Sequence, residues 1–181
     1  MGGSNLSSAK LYKDYKEKKL TVLDLISTNW FIYEEDLISQ DWKILEDTMT
    51  MAGYSCQKAM CDYRGRSYEA WFSSEIPISE GPWKFYGLPG LIVKLYDTKH
   101  QYDFELIELK NTIEKIDIQP LSTKRNNDYF RSKLTEINRI EFLQAKFGEK
   151  GNMIRNADMA KVGLSSEPVK QNYDYIERDY K

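Results

Sequence analysis

Five sulfur-containing side chains fall within residues 49–61 of the sequence: Met49, Met51, Cys56, Met60 and Cys61. Thioether and thiolate sulfur are the ligands that select Cu(I), so this cluster is a candidate copper site. On an extended strand Met49 and Met51 share one face, and Cys56 and Met60 share one face, whereas Cys61 points to the opposite side from Cys56. The alternative is that these residues fill a hydrophobic core, as methionine and free cysteine commonly do.

Acid–base catalysis is a second chemistry that the sequence offers. Glu69, Glu75 and Glu80 flank one loop and can form the carboxylate pair that general acid–base catalysis uses. The single histidine, His100, lies in a predicted hairpin turn, where a catalytic role requires a nucleophile and an orienting carboxylate within reach. The alternative for all four residues is a solvated surface, because 30% of the chain is charged.

Two arginines bracket a glycine at Arg64-Gly65-Arg66. Guanidinium groups bind an anion or a partner's carboxylate by bidentate hydrogen bonds. Ion pairs within a hairpin are the alternative, and such pairs contribute little to stability on an exposed surface. The spacing leaves both interpretations open.

The composition excludes several classes of protein. The chain has 26 Lys and Arg against 28 Asp and Glu, so its charge gives no case for binding nucleic acid. One histidine and two cysteines exclude a multi-histidine metal site, a four-thiolate zinc site and a disulfide framework. No apolar run reaches the roughly 18 residues that a membrane-spanning helix requires, and no phosphate-binding loop or dinucleotide fingerprint is present. We therefore expect no cofactor, no nucleic-acid partner and no transmembrane segment.

Most of the chain carries the pattern of β-strands. Apolar and β-branched residues alternate with polar ones, and turn-forming residues separate the runs. On one such run Tyr68, Ala70 and Phe72 fall on the same face. The predicted strands cover residues 20–26, 29–33, 41–46, 53–63, 66–73, 91–97 and 101–109, with tight hairpins at Arg64-Gly65 and around His100.

One segment changes to helical spacing. Phe130, Leu134, Ile137 and Phe142 recur at intervals near 3.6 residues, and Gly148 stands where a helix ends. The pattern predicts one amphipathic helix near residues 128–147, capped by Asn127 or Asp128. The predicted fold class is therefore α+β, mainly β: an antiparallel sheet or partial barrel with this helix packed on it.

The two ends of the chain differ in composition from its centre. Met1-Gly2-Gly3-Ser4 has the composition of a cloning remnant, so we expect that the native chain is longer. Residues 1–19 are predicted to be a lead-in, 20–147 the domain, and 148–181 a polar tail with ordered patches at 153–154 and 173–176.

Residues 76–92, called the 76–92 loop below, differ from the strands around them. They hold three of the five prolines and three of the ten glycines. This composition predicts a compact ordered loop with Trp83, Phe85 and Leu88 buried. Such a loop either closes one end of the sheet or forms a surface for a ligand or partner.

The loop contains the sequence Gly87-Leu88-Pro89-Gly90-Leu91-Ile92, which resembles the signature of the GLPGLI family. Further stretches of that pattern occur in the same order: Trp-Lys-Ile-Leu at 42–45, Gly-Tyr-Ser-Cys-Gln-Lys-Ala at 53–59, Ala-Trp-Phe at 70–72 and Gly-Pro-Trp-Lys-Phe at 81–85. The resemblance extends over residues 20–147, with the chain resembling an N-terminally truncated member.

The resemblance implies an exported protein of Bacteroidetes-type bacteria. Family members carry a signal sequence and are often found beside TonB-dependent outer-membrane transporters, so a periplasmic or cell-envelope location and such a transporter as partner are implied. The family's activity is not established, and its pattern defines no catalytic residue that can be carried over.

Taken together, these observations predict an envelope binding or interaction protein rather than an enzyme. Its recognition surface is the 76–92 loop with the adjoining sheet face. Two alternatives stay open: an envelope hydrolase that uses a carboxylate pair or His100, and a Cu(I) carrier that uses Met49, Met51, Cys56 and Met60. The candidate binding residues are Trp71, Trp83, Phe85, Tyr86, Leu88, Arg64 and Arg66.

Overall fold

The computed structural model describes residues 9–26, 29–111, 134–147, 176, 177 and 179. These residues form two compact units. Their strands are β1 (Lys10–Asp14), β2 (Lys19–Ile26), β3 (Asn29–Asp36), β4 (Lys43–Met51), β5 (Tyr54–Tyr63), β6 (Arg66–Ser73), β7 (Leu91–Asp97), β8 (Asp103–Glu105) and β9 (Leu134–Glu136), and the helix is α1 (Arg139–Phe147).

The first unit is a four-stranded sheet with α1 packed on it. Its strand order is β1-β2-β3-β9, in which β9 runs parallel to β3 and the other pairs are antiparallel. Phe142 of α1 is fully buried against the ring of Tyr33, with ring centroids 5.1 Å apart. Beside this contact Lys146 forms an ion pair with the buried Asp24, so the helix covers a charged strand position as well as apolar ones.

The mainly β fold class is confirmed, but the helix begins later than the sequence pattern indicates. Asn138 caps it: the Asn138 Oδ1 accepts a hydrogen bond from the Glu141 N–H at 2.9 Å. Leu134, within the predicted helix, lies in β9 opposite Trp30, because these residues pair with β3. The predicted caps, Asn127 and Asp128, lie outside the described residues.

The second unit is a five-stranded antiparallel sheet in which the strands follow chain order, β4-β5-β6-β7-β8. Two-residue turns close its first two hairpins, at Ala52-Gly53 and at the predicted Arg64-Gly65. All four turn residues have positive φ, between 50° and 85°, as the hairpin turn that matches strand twist requires. The hairpin predicted around His100 is shorter than expected, since β8 has three residues and Ile107 beyond it is 98% exposed.

The predicted alternation along β6 is confirmed. Tyr68, Ala70 and Phe72 are buried in the core of the second unit, whereas Trp71 between them is half-buried on the other face. β1 lies within the segment predicted as a lead-in, and pairs with β2. No helix among the described residues combines the length and the apolar character needed to cross a bilayer.

Replacing the helix cap tests the corrected start of α1. Asn138→Ala removes the side-chain acceptor for the Glu141 N–H, so the free energy of unfolding is expected to fall by about 1 kcal/mol. Urea denaturation measures this change. Asn138→Ser is the matched control, because serine retains a capping oxygen; an equal loss in both variants would contradict the assignment.

Candidate functional site

The 76–92 loop closes on itself at its base. The Leu91 N–H donates to the Ile76 carbonyl at 3.1 Å, and the Ile92 N–H donates to the Glu80 carbonyl at 2.9 Å. Glu80 and Tyr86 form an antiparallel bridge within the loop. The prolines and glycines therefore produce an ordered excursion between β6 and β7, as the sequence predicts.

Two glycines of the loop are required by close approach of the backbone. A Cβ at Gly90 would lie 2.1 Å from the Ser73 carbonyl oxygen. Gly87 has a φ of +97°, and a Cβ there would lie 3.0 Å from the Cβ of Ser39. The two glycines of the Gly87-Leu88-Pro89-Gly90 sequence are thus explained by packing, Gly90 against the end of β6 and Gly87 against the segment before β4.

The inner side of the loop is an aromatic cluster. Phe85 is fully buried, with its ring centroid 4.6 Å from Tyr68 and 5.3 Å from Tyr63, both in edge-on contact. Trp42 approaches the same ring at 6.1 Å. Leu88 is also buried, so Phe85 and Leu88, predicted as binding residues, lie in the interior and stabilise the loop.

Lys84 lies beside this cluster and carries a buried charge. Its Nζ is 2.6 Å from the Glu177 carboxylate, and both side chains are 1% exposed. An ammonium group at this depth requires such a partner, because its desolvation is otherwise too costly.

Two side chains before β4 hold the loop backbone. The Gln40 Oε1 accepts a hydrogen bond from the Tyr86 N–H at 3.0 Å, and the Gln40 amide donates to the Lys84 carbonyl at 3.3 Å. The Trp42 indole donates to the Tyr86 carbonyl at 2.8 Å. The backbone around residues 84–86 is therefore held from two directions.

The outer side of the loop is exposed and partly apolar. Ile78 is 48% exposed, while Trp83 and Tyr86 are half-buried. Trp83 has a φ of 55°, a left-handed conformation that costs a non-glycine residue about 1–2 kcal/mol. Its indole N–H has no hydrogen-bond partner among the described residues. Strained aromatic residues of this kind are found at binding sites more often than elsewhere.

An open groove of about 1010 Å³ lies next to the loop in the second unit. Its walls are mainly apolar and come from the loop, β7 and the residues around β8, with carboxylates at Glu80, Asp103 and Glu105. The lining residues are Ala52, Glu80, Gly81, Pro82, Leu91, Ile92, Val93, Asp103, Phe104, Glu105, Leu106 and Ile107.

The remaining predicted binding residues lie apart from the loop's outer side. Trp71 faces outward on β6, with the Lys58 ammonium 5.9 Å from its ring. Arg64 pairs with Asp179 at 2.9 Å. Arg66 is buried, 3.1 Å from Asp97 and stacked over Tyr102, so this guanidinium holds the β7–β8 turn and cannot serve as a surface anion site.

The five sulfur atoms do not converge on one point. Met49 lies opposite Cys56 in the β4–β5 register, but Met60 lies opposite Lys43, four residues along the strand from Cys56, which is about 13 Å. Burial raises the pKa of Cys56, and raises that of Cys61 to about 12, so both thiols are protonated at neutral pH. Within the described residues no group of three or more His, Cys, Asp or Glu side chains is placed to hold a metal.

The titratable residues proposed for catalysis each have a partner, and Tyr96 is shared by Glu69 and His100. Glu69 lies 2.6 Å from the Lys58 ammonium and accepts a hydrogen bond from the Tyr96 hydroxyl at 2.9 Å. The hydrogen bond from Lys58, and to a smaller extent the one from Tyr96, lowers the pKa of Glu69. A carboxylate held ionised in this way is poorly suited to donate a proton as a general acid. Glu75 accepts from the Ser55 N–H, and the exposed His100 stacks on Tyr96 with ring centroids 4.6 Å apart.

Sequence reasoning missed Lys84, Gln40, Trp42 and Glu177 as the residues that fix the loop. Lys84 is polar and lies between two aromatic residues, which gives no indication that its charge is buried. Ile176, in the patch predicted to be ordered, is buried in the second unit, and this apolar position was the one available signal.

Residues 63–94 match the model of a family described as "Protein of unknown function (Porph_ging)". The match covers β6, the 76–92 loop and the start of β7. Two solved structures of PNGF-II, in space groups P21 and C2, are similar at 16% and 17% identity, with TM-scores of 0.47 and 0.45. The similarity covers 71% of this chain but only 22% and 23% of those chains. No curated protein matches the sequence.

Replacement of two glycines by alanine tests the packing of the loop. Gly90→Ala places a methyl group against the Ser73 carbonyl, so the free energy of unfolding is expected to fall by about 3 kcal/mol or the chain fails to fold. Gly53→Ala is the matched control, because its Cβ meets nothing within 4 Å and only the positive φ is strained, at a cost of about 1 kcal/mol. Equal losses, measured by thermal or urea unfolding, would show that the loop does not pack as described.

Thiol labelling tests the burial of Cys61. In a Cys56→Ser variant, Cys61 is the remaining thiol of the chain and is expected to stay unlabelled near pH 8 until guanidinium unfolds the protein. Because its folded pKa lies above the unfolded value of 9.0, the stability that it contributes is complete below pH 9.0 and is lost as the pH rises toward 12. Labelling of the folded protein as fast as of a free thiol would contradict this.

Proposed function

We propose that the protein is a binding protein of the bacterial cell envelope, and that it recognises its partner through the outer side of the 76–92 loop and the adjacent groove. One observation carries the proposal: the loop's inner residues Lys84, Phe85 and Leu88 are buried, whereas Ile78 is 48% exposed and faces solvent. Ile78 stands two residues before Glu80, which lines the groove, so an exposed apolar side chain and the groove follow each other in the loop.

Preorganisation supports a binding role. Association costs less when the contact surface is already ordered, because fewer side chains and loops lose freedom on binding. The hydrogen bonds that Gln40 accepts from the Tyr86 N–H and that Trp42 donates to the Tyr86 carbonyl fix the loop backbone at this residue. Half-buried tryptophan and tyrosine are the residue types that contribute most at protein interfaces.

The envelope location and the kind of partner come from the sequence resemblance to the GLPGLI family. On this basis the native protein is exported to the periplasm or outer membrane of a Bacteroidetes-type bacterium, and a TonB-dependent transporter is the partner class. The match of residues 63–94 to a family of unknown function is compatible with this proposal and adds no activity to it.

Site-specific photo-crosslinking in the producing bacterium tests the proposal. A photoreactive side chain at position 78 or 107, on the loop and beside the groove, is expected to yield the same partner adduct. Position 44 is the matched control, since Ile44 is 45% exposed against 48% for Ile78 but lies on β4.

Ile78→Asp is expected to reduce the adduct formed at position 107 by about tenfold, the effect of losing roughly 1.4 kcal/mol of binding free energy. Thermal unfolding should be unchanged, because Ile78 is exposed. Adducts that form equally at position 44, or that survive Ile78→Asp, would exclude the loop and groove as the recognition surface.

A further inference from the structure

The residues Ile176, Glu177 and Asp179 belong to the second unit, and each makes a different kind of contact there. Ile176 is 1% exposed, and its carbonyl accepts a hydrogen bond from the Tyr68 hydroxyl at 3.0 Å. The other two residues bring carboxylates, Glu177 to Lys84 at 2.6 Å and Asp179 to Arg64 at 2.9 Å. These three residues therefore present one aliphatic side chain, one backbone acceptor and two negative charges.

The side chains that receive this segment are held by other parts of the second unit. Tyr68 is central in β6, Arg64 is in the β5–β6 turn, and Lys84 is in the 76–92 loop. Phe85, next to Lys84, packs on Tyr68 at 4.6 Å, and the Arg64 guanidinium lies 5.5 Å from the Tyr63 ring. The receiving groups are thus positioned by a strand, a tight turn and an anchored loop.

The buried lysine sets the chemistry of any occupant. Removing one member of a buried ion pair leaves an uncompensated charge and strongly destabilises the folded state. Arg64 and Asp179 are 24% and 33% exposed, so their ion pair contributes less and acts mainly on orientation. A segment that takes the place of Glu177 must therefore bring a carboxylate to Lys84.

We infer that Lys84, Tyr68 and Arg64 form a docking site for a short segment with an aliphatic residue, a glutamate and, two positions later, an aspartate. The chain's own Ile176, Glu177 and Asp179 fill this site, and the same residues of a second copy fill it when the contact within one chain is blocked. Exchange of an identical segment between copies makes the same contacts and so needs little additional energy. This inference does not depend on the recognition surface proposed above.

Reciprocal charge reversal tests the exchange with full-length chains. In Lys84→Glu the site repels its own Glu177, and in Glu177→Lys the tail is repelled by its own Lys84. When the two variants are co-expressed, exchange of tails pairs the substituted side chain at position 84 of one copy with the substituted side chain at position 177 of the other. The same exchange restores the original pair of Lys84 and Glu177 at the second site. We expect each variant alone to be destabilised or insoluble, and the co-expressed pair to elute at twice the 21.3 kDa of one chain.

Two controls separate exchange from other effects. The double variant Lys84→Glu/Glu177→Lys can form the reversed pair within one chain and is expected to fold as a monomer. The pair Lys94→Glu and Glu105→Lys reverses an ion pair of the same sheet in which Glu105 is 63% exposed, and is expected to form no dimer.

The inference is overturned if the co-expressed variants remain monomeric or insoluble while the double variant folds. It is also overturned if the double variant fails to fold, since opposite charge would then not be what the site recognises. Dimers formed by either single variant alone, or by the Lys94 and Glu105 pair, would show that association does not use this site.

Discussion

A lysine ammonium group in a dry interior must be compensated by a negative charge, and several parts of the second unit depend on how Lys84 meets this requirement. Its partner, Glu177, lies in the C-terminal part of the chain. Lys84 belongs to the 76–92 loop, so this one ion pair connects the loop to residues far away in sequence. Gln40 and Trp42, in the segment before β4, hold the backbone of the same few residues. The order of the loop thus results from side chains of two other segments as well as from the hydrogen bonds within the loop.

The parts of the fold that follow from local patterns could be predicted from the sequence. The burial of Tyr68, Ala70 and Phe72 follows from the two-residue period of a strand, and the Arg64-Gly65 turn follows from the backbone freedom of glycine. The start of α1 could not be predicted in this way. Apolar spacing near 3.6 residues continues back through Leu134, but that residue pairs with Trp30 of β3, and such long-range pairing overrides local preference.

The candidate site shows the same division between local and long-range causes. Phe85 and Leu88 are apolar, and their burial could be predicted from residue type. The burial of Lys84 and Arg66 could not be predicted from residue type. Lys84 is compensated by Glu177 and Arg66 by Asp97, and no sequence motif links the two members of either pair. The Gly87-Leu88-Pro89-Gly90 sequence suggested a recognition element, yet Gly90 is explained by its contact with the Ser73 carbonyl.

The strand order also determines when each sheet can be completed during synthesis. Among the described strands, β4 to β8 pair with their neighbours in the chain, so this sheet can form as soon as its residues leave the ribosome. The first sheet must wait for β9, which pairs with β3 about one hundred residues earlier, and pairings between distant residues form slowly. The ion pair of Lys84 forms later still, because Glu177 follows β9 in the chain. The contact that joins the 76–92 loop to Glu177 is therefore made only after the described strands of both sheets have been synthesised.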